Sequence, residues 1–363
     1  MQYNKPFDQT DPNAPYNNGN PATGTDGSIP PAEAIEFPQR EIVNVIQWAF
    51  DHGYLDQTGT LCAAPTNLDL QQLRKAIEGF IRSQQPFPLL KANTTSYINA
   101  TLGSDTAYDG TSATVSGTHG PFATIQRGIT EALKYNLGGF NYTIKCADGT
   151  YTSSTIGGYP QNGSGTIALV GNSASPASCV IGCPLGTTML LLSGANYSID
   201  GFRVTAGISP RAGDQNALIW AQGATLTIPS GATLELGPTT INNSPQLQIN
   251  GAGGIFHQGT IRITGGGSCF VQNGGGAGAY YNDPVGASIL NITTASAYSR
   301  AFIAADRLGA VNAYYGTLAG GGNVTGKTYD GTLNSVITWR APGTVPPGTV
   351  AGTLSTGAQY LNI

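Results

Sequence analysis

Two carboxylates in the middle of the chain have the residue type and the spacing that polysaccharide hydrolysis requires. A glycosidase places two carboxyl groups about 5–10 Å apart, one on each side of the bond that breaks. Asp214 and Glu235 are separated by 21 residues (235 − 214), close to one coil of a repeating β structure, so they could stack on neighbouring coils. Asp148 and Asp200 each precede a glycine and are interpreted as turn residues. Asp214 and Glu235 are therefore the candidate catalytic pair.

Lyase chemistry and metal binding have less support in the same region. A lyase needs basic residues beside a developing enolate, or calcium held by several carboxylates. Between residues 140 and 283 the basic residues are few, and no acidic cluster accompanies them. The chain has three histidines far apart in sequence and no CxxC pair, so we expect no metal site and no cofactor. Binding is the favoured class, and enzymatic activity is the alternative.

The distal part of the chain carries aromatic residues that suit carbohydrate recognition. Two tyrosine doublets, AYYND (Tyr280, Tyr281) and NAYYG (Tyr314, Tyr315), occur together with Trp339. Aromatic faces stack on sugar rings, and nearby Asn and Thr side chains supply hydrogen bonds. These five aromatic residues are the candidate receptor-binding residues. The alternative is that they pack the C-terminal region or an interface between subunits.

The composition indicates a folded, mainly β chain with many tight turns. Gly accounts for 51 of the 363 residues, and only 10% of the residues are charged. The formal net charge of −4 gives no reason to expect nucleic acid as a partner. The apolar runs are too short to span a bilayer, so we expect no membrane insertion, and the N-terminus has no apolar core of a secretory signal.

The first 90 residues differ from the rest of the chain. Residues 1–40 are rich in Pro, Asn, Gly and Asp and are predicted to be extended, taking up a shape only against a partner. Residues 41–90 contain two apolar patterns at helical spacing, in EIVNVIQWAFDHG and TNLDLQQLRKAIEGFIRS. Two short amphipathic helices bury little on their own. We therefore predict a helical neck that mediates multimerisation or docking.

Residues 91–283 are predicted to form a parallel β-helix. Short apolar couplets recur between Gly, Asn, Ser or Pro residues, and Val204, Ile228 and Ile249 are spaced by 24 and 21 residues. Two or three short strands in each period of about 20–25 residues are typical of a solenoid. A β-sandwich is the competing interpretation, but it expects longer strands and hairpin turns. The amphipathic segment GPFATIQRGITEAL is predicted to cover the exposed apolar end of the first coil.

Residues 284–363 are predicted to form a small C-terminal β domain. The segment 286–345 alternates like an antiparallel sheet, and NVTGKTYDGTLNSVITW is interpreted as a hairpin that carries Trp339 on one side. The Gly- and Pro-rich tail 341–363 is too poor in apolar residues to form a core and is expected to wrap a neighbouring subunit.

Several segments resemble known families. GPFATIQ, the helix after it and ADGTYT resemble the entry to right-handed β-helix proteins of the pectate-lyase and tailspike type. The N-terminal run from MQYNKPFDQTDPNAPYNNGNP to EIVNVI, together with TNLDLQQLRKAIEGFI, resembles the front of bacteriophage tail-fibre proteins. The end, VPPGTVAGTLSTGAQYLNI, is similar to the C-terminal tails of the same phage proteins.

The resemblance implies a virion tail protein, assembled in the host cytoplasm. Such a protein attaches to tail or baseplate proteins through residues 1–40, forms a homotrimer, and meets a host surface glycan or appendage with its distal part. Many tailspikes also degrade polysaccharide, so a depolymerase that uses Asp214 and Glu235 is the alternative function. A free-standing cellular β-helix lyase is disfavoured by the missing signal and the tail-like N-terminus. The fold expected from residues and resemblance together is a right-handed parallel β-helix with an extended N-terminus, two short helices and a C-terminal β domain.

Overall fold

A computed structural model describes residues 5–7, 9–11, 13–30, 32–54, 60–66, 69, 71–83, 87–152, 155–156, 161–183, 189–192, 194–206, 217–239, 244–276, 278–282, 288–340 and 345–362. The chain forms two compact units, Met1–Pro88 and Leu89–Ile363. In the part of the chain just given, no helix is long and apolar enough to cross a membrane.

The first unit contains two helices that pack on each other, α1 (Ala32–Asp51) and α2 (Gln72–Ser83). Their shared core is small and consists of Ile46, Ala49, Cys62 and Ala76. Both predicted helices are present, but α1 begins inside the segment 1–40 that was expected to be extended. The stretch AEAIEF that opens α1 consists mostly of good helix formers, and the helix continues through Pro38 at the loss of one backbone hydrogen bond.

The second unit is mainly β and holds α3 (Ile125–Ala132) together with short strands. The strands in the described residues are β1 (Thr94–Ile98), β2 (Tyr142–Cys146), β3 (Gly149–Thr152), β4 (Thr155–Ile156), β5 (Ile167–Val170), β6 (Cys179–Cys183), β7 (Met189–Leu192), β8 (Asn196–Asp200), β9 (Phe202–Ala206), β10 (Ile219–Gln222), β11 (Thr225–Ile228), β12 (Thr233–Leu236), β13 (Leu247–Asn250), β14 (Gly254–His257), β15 (Thr260–Ile263), β16 (Val271–Asn273), β17 (Ala279–Asn282), β18 (Ile289–Ile292), β19 (Ser296–Tyr298), β20 (Ile303–Ala305), β21 (Ala310–Tyr314), β22 (Thr317–Ala319), β23 (Val324–Gly326), β24 (Tyr329–Gly331), β25 (Val336–Arg340), β26 (Thr353–Leu354) and β27 (Gln359–Asn362).

These strands stack into a parallel β-solenoid. The largest sheet has ten strands in the order β1-β2-β5-β8-β11-β14-β17-β21-β25-β27, and sheets of eight and seven strands form the other faces. All pairings between named strands are parallel, so each coil lays its strands on those of the coil before it. Inward residues of one strand position therefore form a column along the interior. In the ten-stranded sheet such a column contains Leu226, Ile255, Tyr280, Val311 and Ile337.

The coils are longer than the period predicted from the couplets. Successive members of the column at 226, 255, 280, 311 and 337 are 29, 25, 31 and 26 residues apart. The predicted period of about 20–25 residues was too short because Val204, Ile228 and Ile249 lie in β9, β11 and β13, which belong to three different sheets. The couplets were correctly identified as strands, but they were counted across faces rather than along one face.

Helix α3 covers the interior of the first coil, as predicted. Thr124 caps its N-terminus by accepting a hydrogen bond from the backbone N–H of Arg127, and the helix packs against β1 and β2. Ile125, Ile129 and Ala132 are buried on its inner face. At Gly128 an added Cβ would come within 3.0 Å of Ile98 Cδ1, so the glycine allows the helix to approach β1 closely.

The C-terminal residues continue the solenoid instead of forming an antiparallel domain. β18, β21, β25 and β27 pair in parallel with the strands of the preceding coil, and the predicted hairpin around Trp339 is wrong. Alternating strands look the same in sequence whether their neighbours run parallel or antiparallel, because alternation reports only that one face is buried. The connections decide the direction, and here each one returns through the other faces of the coil.

Candidate functional site

Glu235 lies on β12 beside basic residues, not beside a second carboxylate. Its neighbours in register are Arg203 on β9 and Arg262 on β15. Glu235 alternates along β12 with Leu234 and Leu236, whose side chains fill the interior. Although this position is not an inward one, Glu235 is only 5% exposed. Arg203 Nε donates a hydrogen bond to the Glu235 carboxylate, and the two side chains form an ion pair. This arrangement joins two neighbouring coils.

The proposed partner of Glu235, Asp214, lies outside the described residues. The residue one coil before Glu235 is Arg203, which is 32 residues earlier (235 − 203), so the 21-residue spacing does not correspond to one coil here. The 21-residue spacing therefore gives no support for the pair. The pair itself stays a prediction.

Tyr280, Tyr315 and Trp339 lie in the interior of the solenoid. Tyr280 and Trp339 have no exposed surface and Tyr315 is 5% exposed, so none of the three presents a face to a ligand in solvent. Tyr315 and Trp339 pack with their ring centroids 5.3 Å apart. Their expected role in receptor binding is corrected to a role in the core, which was the alternative interpretation of the aromatic residues.

A buried chain of hydrogen bonds connects these tyrosines to His257. The Tyr280 hydroxyl lies 3.0 Å from His257 Nδ1 and 3.0 Å from the Tyr315 hydroxyl. His257 Nε2 lies 3.1 Å from the Gly259 carbonyl oxygen. A carbonyl only accepts, so Nε2 carries the proton and Nδ1 accepts from Tyr280. Burial lowers the pKa of His257 to about 3, and burial raises the pKa of Tyr280 well above its usual value.

Tyr281 and Tyr314 lie on the outer face of the ten-stranded sheet. Tyr281 is 37% exposed and Tyr314 is half-buried. Next to Tyr281, on the preceding strand β14, Phe256 is 39% exposed, and the two ring centroids are 6.0 Å apart at an interplanar angle of 58°. Phe256 and Tyr281 together form an exposed aromatic pair, which we call the aromatic face.

The surroundings of the aromatic face are small and polar. Thr227 precedes Phe256 in register and Asn312 follows Tyr281. A Cβ at Gly254 would come within 3.1 Å of the Phe256 ring, so this glycine lets the ring lie along the strand. Adjacent strands are about 4.8 Å apart, so the two rings and the two polar side chains span four coils, about 14 Å. Two rings flanked by hydroxyl and amide groups can stack on sugar rings and hydrogen-bond their hydroxyls.

Phe256 was not identified as a site residue from the sequence, although the sequence contains a signal for it. In the strand GIFH, Ile255 and His257 point inwards, so the residue between them points to solvent. A large aromatic residue at an outward position of a half-buried strand is a sequence signal for an exposed binding residue.

No protein-family model, curated protein or solved structure matches this chain significantly.

Proposed function

We propose that the chain is a structural and receptor-binding protein of a bacteriophage tail fibre or spike, which binds a host surface glycan through the aromatic face. The observation that carries this proposal is the exposed pair Phe256 and Tyr281 on a rigid parallel sheet. A solenoid holds the two rings at a fixed spacing, so little conformational entropy is lost when a glycan binds. The flanking Thr227 and Asn312 supply polar contacts.

The first unit is proposed to form the attachment and assembly part. On α1 the apolar residues Ile35, Ile42 and Val45 are 54%, 43% and 42% exposed. Ile35, Ile42 and Ala49 follow one another at a spacing of seven residues, and Ala49 packs in the α1–α2 core, so the three share a helical face. We propose that copies of the same chain cover this apolar face of α1 in a homotrimer. Residues 1–40 are proposed to bind tail or baseplate proteins in the virion.

Binding of the purified full chain to a panel of immobilised bacterial envelope polysaccharides tests the proposed function. We expect saturable binding to at least one of them, and binding about tenfold weaker for Tyr281→Ala and Phe256→Ala, equivalent to about 1.4 kcal/mol each. Phe140 is 38% exposed and lies far along the chain from the aromatic face, so Phe140→Ala is the matched control and keeps full binding.

Size-exclusion chromatography of the same polysaccharides after incubation separates binding from degradation. Polysaccharide of unchanged size is expected. A fall in polymer size would replace the proposal by the depolymerase function, and Glu235→Gln would then be tested for loss of that activity. Absence of binding to every polysaccharide, or equal binding by all three variants, contradicts the proposal.

A further inference from the structure

The outer face of the ten-stranded sheet carries a line of side chains, one from each of five successive coils. The register places Ser198 on β8 beside Thr227 on β11, and Thr227 beside Phe256 on β14. Tyr281 on β17 and Asn312 on β21 continue the same line. Adjacent strands are about 4.8 Å apart, so the five positions extend over about 19 Å. We call these five residues the outer column.

The three polar members of the outer column have side chains that are available to a ligand. Ser198, Thr227 and Asn312 are half-buried, and their polar atoms are solvent-accessible. Within the described part of the chain, none of these side chains forms a hydrogen bond. By contrast, the hydroxyls of Thr264 and Thr293, which follow β15 and β18, donate to backbone carbonyl oxygens of the preceding coil. The outer column therefore offers unused hydroxyl and amide groups in line with two exposed rings.

The two rings of the outer column are inclined to each other. Their centroids are 6.0 Å apart and their planes meet at 58°. A Cβ at Gly254 would lie 3.1 Å from Phe256 Cε2, so the Phe256 ring leans over Gly254. Two rings at this angle do not stack on the same flat sugar ring. Phe256 and Tyr281 are therefore available to two different sugar residues of one chain.

The side chains around the two rings carry no charge. On β8, β11, β14, β17 and β21, the outer column and the column two residues before it contain only Ser, Thr, Asn, Gly, Ala and the two aromatic residues. Along the described strands of this sheet, the nearest charged side chains are Asp200 on β8 and Arg340 on β25, each two coils from the closer ring. Two coils correspond to about 10 Å.

This lack of charge decides which ligands the face suits. An acidic sugar that lies against it gives up part of its hydration and finds no cation within hydrogen-bond reach on the described strands, which is unfavourable. An uncharged sugar has no such penalty, and its hydroxyls match the hydroxyl and amide groups of the outer column.

The positions of the polar groups indicate the direction of the ligand. On β14 and β17 the outward residues before the two rings are Gly254 and Ala279, which have no hydrogen-bonding side chain. A glycan laid along one strand would contact only one ring. A glycan laid across the strands reaches both rings and the polar side chains of the coils on either side of them.

We propose that the outer column binds an uncharged glycan chain that runs across the strands, with about one sugar residue on each coil. The spacing of the coils, about 4.8 Å, is close to the length of one hexopyranose residue in an extended chain. Phe256 and Tyr281 each contact one sugar residue, and Ser198, Thr227 and Asn312 form hydrogen bonds with the sugar residues beyond them. This inference rests on the proposed glycan binding and adds the class, the direction and the length of the glycan.

Pairs of polysaccharides that differ only in charge test the class of glycan. Each acidic polysaccharide of the panel is compared with its carboxyl-reduced form, in which the carboxyl groups have become primary alcohols on the same backbone. We expect the full chain to bind neutral polysaccharides, and in any pair that binds, to bind the reduced form at least tenfold more tightly. An acidic polysaccharide that binds at least as tightly as its reduced form, and loses this binding in Tyr281→Ala, overturns the inference.

Oligosaccharides of increasing length, prepared from a neutral polysaccharide that binds, test the direction and the length. We expect the affinity to rise up to about five sugar residues, one for each strand of the outer column, and then to level off. Thr227→Val removes a hydroxyl from the outer column and should weaken binding of the pentasaccharide about threefold. Thr225→Val is the matched control, because Thr225 is a half-buried threonine on the same strand but outside the outer column.

The control should bind the pentasaccharide like the wild type, and both variants should keep the melting temperature of the wild type. An affinity that stops rising at two sugar residues, or equal weakening by Thr227→Val and Thr225→Val, overturns the placement of the glycan along the outer column.

The outcomes separate this inference from the proposed function. If acidic polysaccharides bind through Phe256 and Tyr281, the proposed function holds and the inference fails. If no polysaccharide binds, or if Phe256→Ala and Tyr281→Ala bind like the wild type, the proposed function fails and the inference fails with it.

Discussion

At the scale of single residues, the two members of each tyrosine doublet lie on opposite faces of the sheet. Successive side chains of a strand point to opposite faces, so each doublet contributes one buried and one outward ring. Tyr280 and Tyr315 are in the interior, while Tyr281 and Tyr314 are on the outer face. The two doublets could be identified as candidate binding residues from the sequence. The outward member of each could not, because it depends on which neighbouring residues fill the interior.

The buried His257 predicts a specific pH dependence of stability. Above the unfolded-state pKa of about 6.5 the imidazole is neutral in both states and carries no penalty. Between pH 6.5 and the folded-state pKa of His257 of about 3, His257 binds a proton only in the unfolded chain. The free energy of unfolding therefore falls as the pH falls. The unfolding equilibrium constant should rise about tenfold per pH unit from this residue alone.

Urea unfolding of the wild type and of His257→Leu at pH 7.5 and 5.0 measures that contribution. The variant starts less stable at pH 7.5, because the Tyr280 hydroxyl loses its acceptor, but it should lose less stability on acidification than the wild type. Equal losses of unfolding free energy in both proteins would show that the protonation of His257 on unfolding does not cause the acid sensitivity.

Among elements, the helices and strands were largely predictable, whereas the arrangement of the strands was not. The apolar spacing identified α2, α3 and most of the short strands, because a buried face leaves its period in the sequence. The length of a coil was underestimated and the direction of the C-terminal strands was wrong. Both depend on which strands pair across 23 to 48 residues of chain, and the local sequence pattern carries no information on that pairing.

The lid helix α3 provides a test at this level. Ile129 is fully buried between α3 and the first coil, so Ile129→Ala should cost about 2–5 kcal/mol. The loss should appear first as faster hydrogen exchange in α3 and β1, since β1 is the edge strand of the ten-stranded sheet and α3 packs on it.

Gln126→Ala changes an exposed residue of the same helix and serves as the control, with exchange close to that of the wild type. Uniformly faster exchange along the whole solenoid in Ile129→Ala, with no preference for α3 and β1, would contradict the role of the helix as a local lid.

For the whole molecule, we predict a trimer held through the apolar surface of α1. Sedimentation equilibrium should give three times the chain mass of 37.4 kDa. The double variant Ile42→Glu and Val45→Glu should dissociate, because burying two carboxylates in an apolar interface is unfavourable. Gln39→Glu adds a carboxylate to an exposed position of the same helix and should remain trimeric. A wild type of monomer mass would contradict the predicted assembly.

We propose that a glycan lies on the aromatic face formed by Phe256 and Tyr281. Hydroxyl-radical footprinting of the full chain, with and without a polysaccharide that it binds, measures this contact most directly, because both rings are exposed and react readily when free. We expect that oxidation of Phe256 and Tyr281 falls several-fold on binding, while oxidation of Phe140 is unchanged. Unchanged oxidation of Phe256 and Tyr281 in the saturated complex would rule out this binding site and place the glycan elsewhere on the chain.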